Sequence, residues 1–251
     1  TAWCRRTGFA PRISSAMVPK YTPDGLVNLE HVRNTIRDSD ADLVGLQECD
    51  TGRLSSMNID TILWLSTQLG MYSYFGPPTS EHIYGVALLS KYPIINASYH
   101  VLSHEELPRV LIETVVRIGS VELTVFVVHL GLSYEDRTTQ ADEVMAVVNA
   151  APTPKILMGD FNTRPTGEPE PGVDSPDDTI YEDISIHLND TWTGAGNALD
   201  SPDGYTWPTT NPSIRIDYIW VSPDITVLSS AVVSGATGSD HLPLVADIRL
   251  T

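Results

Sequence analysis

Four apolar runs in this chain end in residues that can hold cations or move protons. They are LQECD (46–50), VVHLG (127–131), MGDFN (158–162) and GSDHLP (238–243). A further acid, Asp217, lies inside the strand-like pattern RIDYIWV. An apolar strand that delivers a carboxylate, an amide or an imidazole at its tip makes a rigid, open rim, where ligand and catalytic residues concentrate. Glu48, Asp160 and Asp240 offer oxygens that suit a hard cation such as magnesium, which keeps waters and leaves room for a phosphate. His129 and His241 are the imidazoles that could pair with them. Cysteine–histidine spacing of the zinc type is absent, as are a nucleophile elbow around Ser239 and a phosphate-binding P-loop.

These tips need elements behind them. LEHVRNTIRDS (29–39) places Leu29, Val32 and Ile36 on one helical face, with Asn28 as cap. A second helix is expected over 60–70, capped by Asp60 and stopped by Gly70, and a third over 135–150. Strands are expected at 42–47, 84–90, 93–101, 110–118, 121–129, 155–159, 215–222, 225–233 and 242–250. Gly119-Ser120 is a two-residue hairpin signal. Residues 164–178, rich in proline, read as an exposed excursion, and residues 1–27 show no clear period. Mixed hairpins and helices point to an α/β (α+β) layered sandwich of two sheets with helices outside. The 251 residues fit one domain spanning 1–251.

Composition narrows the function. The formal charge is -17, and the only lysine or arginine residues from residue 160 onward are Arg164, Arg215 and Arg249. Such a surface repels polyanions unless a metal intervenes, which weighs against a dedicated nucleic-acid binder. No apolar run reaches the roughly 18 residues of a membrane span, and no signal-like segment is seen. Because the chain begins with Thr1, it reads as a fragment or processed piece. Cys4 and Cys49 could form a disulfide, although a free buried thiol at Cys49 is the simpler reading. Acceptor triplets for N-glycosylation start at Asn96 and Asn189.

LQE, GDFN, RIDYI and SDH, in this order and with these gaps, resemble the endonuclease/exonuclease/phosphatase superfamily over roughly residues 24–250. Longer stretches, DGLVNLEHVRNTIRDSDADLVGLQECD, YGVALLSKYPI and VVHLGLSYEDR among them, look like the C-terminal domain of the eukaryotic membrane protein that remodels GPI-anchor lipids to ceramide. The resemblance implies a four-layer, deoxyribonuclease-like sandwich and a Mg2+-dependent phosphodiesterase, with Mn2+ as a substitute. It implies a lipid-linked phosphodiester substrate, membrane attachment through segments of a larger parent protein, and a luminal ER or Golgi location. The alternatives are a secreted nuclease and a non-catalytic module that recognises a glycolipid headgroup.

By the same resemblance, Glu48 and Asp240 bind the metal. Asp160 and Asn162 hold the attacking water and a phosphate oxygen or metal. His241 contacts the scissile phosphate, Asp217 orients His241, and His129 is a second active-site histidine. Arg109 sits near the position of a phosphate-contacting arginine in some members of the family. The pattern departs from the superfamily at its start, where a strand ending in Asn is usual. Residues 1–23 contain no Asn and no strand pattern, so a truncated or altered first strand is expected.

Overall fold

A computed structural model describes residues 11–17, 29–52, 59–77, 84–105, 107–166, 179–236 and 238–250. Among the described residues, twelve strands form two six-stranded sheets. The first sheet runs in the order β11 (Ile225–Val232), β12 (Leu244–Leu250), β1 (Arg12–Met17), β2 (Leu43–Asp50), β4 (Tyr84–Ser90), β3 (Tyr72–Gly76). The second runs β5 (Ile94–Leu102), β6 (Arg109–Ile118), β7 (Val121–His129), β8 (Lys155–Asp160), β10 (Asp217–Val221), β9 (Asn189–Asp190). Each sheet is mixed: β1 runs parallel to β2, and β7 parallel to β8, while the other pairs are antiparallel.

Period-2 alternation decides which side chains meet. Ile13, Leu43, Leu88, Val127, Met158, Ile219 and Leu244 fill the space between the sheets. Their neighbours along the strands point outward. Val44, Leu46, Ala87 and Leu89 lie under α1 (Leu29–Ser39) and α2 (Thr61–Leu69), packing on Val32, Ile36, Ile62 and Leu65. Phe126, Val128 and Leu157 lie under α3 (Tyr134–Ala150) and α4 (Ile180–Ser185), packing on Val144, Val148 and Ile184. The result is helix, sheet, sheet, helix, the four-layer sandwich expected. A further short helix, α5 (Thr191–Gly194), turns Trp192 into the inter-sheet core.

Local chemistry explains the helix ends. The Asp60 carboxylate accepts the Leu63 N–H, and Gly70 closes α2 in the left-handed region at φ 64°. Ser133 caps α3 by accepting the Asp136 N–H. Asn28, the cap expected for α1, falls outside the described residues, as do Cys4 and 167–178 of the proline-rich excursion. Cys49 is a free, buried thiol, and burial pushes its pKa up.

The first strand is a correction. Residues 1–23 gave no strand pattern, yet β1 is a central strand, bonded to β12 on one side and β2 on the other. RISSAM carries Ser14 and Ser15 where a buried strand usually carries branched apolar residues, and both serines are buried. Two flanking ladders specify the strand where hydrophobicity does not. β3 was missed for a related reason: YSYFG is an edge strand with an exposed Tyr72.

Close approach of backbones explains two glycines. A Cβ on Gly159 would stand 1.9 Å from the Val128 carbonyl oxygen of β7, so no larger residue fits there. A Cβ on Gly45 would meet the Met158 Sδ at 2.7 Å, across the sandwich. The obstacle is rigid main chain in the first case and a flexible thioether in the second. Gly159→Ala is therefore expected to cost about 3 kcal/mol or more and Gly45→Ala about 1–2 kcal/mol, read as shifts in urea midpoint at unchanged slope.

Candidate active site

Register assembles the site. On the second sheet His129 pairs with Asp160 across the parallel β7–β8 ladder, and Asp217 pairs with Asp160 across the antiparallel β8–β10 ladder. Three strand tips thus present His129, Asp160 and Asp217 side by side, each nearly sealed from solvent. Every residue of MGDFN has a distinct task. Met158 fills the inter-sheet core, Gly159 permits the approach of β7, and Asp160 enters the site. Phe161 turns to the opposite core, edge-on to Tyr218 at 5.5 Å. Asn162 takes φ 50°, donates its Nδ2–H to the Leu130 carbonyl at 3.0 Å, and gives its backbone N–H to Asp160 Oδ1 at 2.9 Å.

His241 arrives from a loop, and its position needs a brace. Residues 207 and 214 bridge, and this hairpin holds the loop. Thr209 donates its N–H to the Asp240 carbonyl and its hydroxyl to the Ser239 carbonyl, while Leu242 N–H reaches the Thr206 carbonyl. Ser239 Oγ accepts the His241 N–H. The imidazole then lies with Nδ1 2.8 Å from Asp217 Oδ2 and Nε2 4.0 Å from Asp160 Oδ2.

The two histidines differ in charge. Burial opposes a charge on His241, but the charge and hydrogen bond of Asp217, with help from Asp160 and Asp240, outweigh it and raise the pKa to about 9. Burial, then the cations Arg109 and His241, push His129 well below its ordinary value, so it is neutral. Asp160 is raised to about 7, first by burial and then by Asp217, with His241, the Asn162 N–H and Arg109 opposing. Arg109 is buried, with Nη1 2.8 Å from His129 Nδ1.

Glu48 belongs to the facing sheet. A bulge between Leu46 and Cys49 in the β2–β4 ladder, with Glu48 at φ 54°, breaks the regular alternation of the strand at Glu48. Tyr84 at the start of β4 is hydrogen-bonded to Glu48 and feels the charge of Arg109. Burial, then Glu48, push the phenol pKa up. Asp240 precedes His241 in the chain and its charge helps to raise the pKa of that imidazole. The structure thus gathers His241, Asp217, Asp160, Asn162, His129 and Arg109. Among the described residues, the three groups close enough to share one ion are Asp160, Asp217 and His241. Within that group Asp217 Oδ2 and His241 Nδ1 are also joined by a hydrogen bond of 2.8 Å. Tyr84, Thr209 and Ser239 were not foreseen, because an ordinary tyrosine, threonine or serine in a sequence carries no sign of what it will face.

The Asp217–His241 pair has a pH signature. The folded pKa lies above the unfolded one, so its contribution to stability is fully present below the ordinary histidine range, about 6.5, and is lost as pH rises through about 9. NMR titration of the metal-free chain should place His241 near pH 9, and Asp217→Asn should move its midpoint down by more than about one unit.

This geometry has relatives. A crystal structure of an endonuclease/exonuclease/phosphatase from Beutenbergia cavernae superposes with TM-score 0.78 at 22% identity, over 96% of this chain and 72% of that one. The human Nocturnin catalytic domain with bound sulfate superposes with TM-score 0.72 at 22% identity, over 96% and 95% of the two chains. The Bacteroides thetaiotaomicron mannosyl-6-phosphatase Bt3783 gives 0.73 at 17%, over 95% and 99%. At these identities the likeness shows the fold, which is that of the endonuclease/exonuclease/phosphatase proteins. In sequence, protein cwh43 of Schizosaccharomyces pombe is 35% identical over 166 residues, 64% of this chain and 17% of that protein. The match therefore covers less than a fifth of that relative's length. Residues 20–194, carrying Glu48, Arg109, His129, Asp160 and Asn162, match the family model described as the PGAP2IP C-terminal nuclease-like domain, and the chain belongs to that family.

Proposed function

We propose that this chain is a metal-dependent phosphodiesterase whose substrate is a lipid-linked phosphodiester, and that it forms one catalytic domain of a membrane protein of the secretory pathway. The observation that carries this reading is the sealed row of Asp160 between neutral His129 and the Asp217–His241 dyad. Hydrolysis of a phosphodiester needs an in-line water and donors for the charge that builds on the phosphoryl oxygens. His241, held cationic by Asp217, directs Nε2 toward Asp160 and toward any phosphoryl oxygen seated beside it. Asp160, raised to about 7, can take a proton from that water near neutral pH. Asn162, fixed through Leu130, keeps its amide oxygen for the water or phosphate.

The donor set fits magnesium, with manganese as a substitute. Glu48 and Asp240 supply hard oxygen donors, and Asp160, its pKa raised first by burial and then by the charge of Asp217, adds a buried carboxylate next to a second one. Glu48 and Asp240 would hold the ion. When bound, the ion would supply charge neutralisation at the phosphate. Support for a lipid-linked substrate comes from family membership and from the charge of -17, which opposes a nucleic-acid polyanion. No helix among the described residues is long and apolar enough to cross a membrane.

A second reading, a module that recognises a glycolipid headgroup without cleaving it, is favoured by one observation. Residues 1–23 contain no Asn, so the ligand usual at the end of the first strand has no counterpart there.

Asp160→Asn should lower hydrolysis of bis(4-nitrophenyl) phosphate by about a thousandfold while leaving the urea midpoint within about 1 kcal/mol of the parent. Calorimetric titration should show magnesium binding that is lost in Glu48→Gln. Absence of turnover and of magnesium binding in the folded wild-type chain would decide for the recognition module.

A further inference from the structure

We propose that Arg109 is a positioning residue that locks His129 as the neutral tautomer protonated on Nε2, making His129 a hydrogen-bond donor and never the general base. Arg109 Nη1 lies 2.8 Å from His129 Nδ1. A guanidinium has only N–H donors and keeps its proton at any ordinary pH, so Nδ1 must be the acceptor. A neutral imidazole carries one proton, and with Nδ1 accepting, that proton sits on Nε2. Nε2 lies 3.3 Å from Asp160 Oδ2, a close contact between the two groups. Arg109 thus donates to His129, and the ring's own N–H is left on the Asp160 side.

The dyad across the site has the opposite polarity. His241 Nδ1 faces a carboxylate, Asp217 Oδ2, at 2.8 Å, an arrangement that favours a charged ring. The same side-chain type, placed on either side of Asp160, is therefore held neutral on one side by a cation and charged on the other by an anion. A base must accept a proton at a free ring nitrogen. His129 has none, because Nδ1 is engaged by Arg109 and Nε2 already carries hydrogen. Arg109 itself is buried, and the arginine that the family resemblance assigns to phosphate spends its Nη1 on a histidine. The tautomer follows from this geometry alone, and its consequence for catalysis rests on the phosphodiesterase reading.

The test is long-range proton–nitrogen NMR on the whole 15N-labelled chain without metal or substrate. At neutral pH, His129 should show a protonated Nε2 and a bare Nδ1, with a scalar coupling across the hydrogen bond to Arg109 Nη1. Arg109→Met should abolish the coupling and release the ring to mixed tautomers or the imidazolium. Arg109→Lys, which keeps a donor, should restore the Nε2 tautomer. A wild-type His129 that carries its proton on Nδ1, or on both nitrogens, overturns the proposal even if no variant folds. So does an unchanged ring in Arg109→Met. Titration with inorganic phosphate supplies the competing outcome: affinity reduced about tenfold in Arg109→Met with the tautomer intact would make Arg109 an anion contact instead. In turnover, His129→Gln, which keeps a terminal N–H, should exceed His129→Ala in kcat by about tenfold, and equal loss in both overturns the donor role. A wild-type chain with the predicted tautomer but no turnover would count against the phosphodiesterase reading and leave the lock standing.

Discussion

The register of β8 between β7 and β10 is the constraint on which the rest depends. Along β8, Ile156 and Met158 face the inter-sheet core, and Leu157 faces the core under α3 and α4. A slip by one residue would exchange these faces and drive Asp160 into an apolar layer, at the cost of burying an unpaired carboxylate. The register is protected by both apolar faces at once and by main chain, since Gly159 sits where only a hydrogen fits beside Val128. Arg215 contributes from the other flank. It is sealed against Asp190 and lies 4.7 Å from the Tyr218 ring, and Tyr218 in turn donates its hydroxyl to the Thr163 carbonyl of the loop that follows β8.

Sealing three ionisable groups in one row is costly, and the structure meets the cost by alternation of charge. Asp217 is offset by cationic His241, and Asp160 lies between that cation and a histidine kept neutral. Buried pairs of this kind contribute little net stability against apolar substitutes, while loss of one member leaves an uncompensated charge. Backbone strain is also found there. Glu48 and Asn162 both adopt positive φ, at about 1–3 kcal/mol each. A bulge holds the first, and the Asp160 and Leu130 contacts hold the second. Strain and buried polarity coincide at the strand tips, where stability is exchanged for preorganised chemistry.

Much of this was legible in order along the chain. Long apolar segments such as 84–90 and 121–129 appear as strands with the boundaries expected, because a strand buried on both faces reads as a near-continuous apolar run. The strand-tip acids and histidines were legible because a polar cluster at the end of an apolar run has few structural uses. β1 was not legible, since its two buried serines depend on ladders from β12 and β2 for their place. Nor was the partnership of Arg109 with His129, which lie 20 residues apart on neighbouring strands and meet only through side-chain direction.

By itself, the sequence determined the long, strongly patterned strands and helices and the polar inventory: Glu48, His129, Asp160, Asn162, Asp240 and His241 at the ends of apolar runs, with Asp217 inside a strand pattern. Periodicity and local capping are short-range properties, so residue order suffices for them. Only the tertiary structure decided which of these residues share a row, which histidine carries charge, and what Arg109 does. Those outcomes depend on distances of about 3 Å between groups far apart in the chain, and on burial that makes each neighbouring charge count for far more than it would in water.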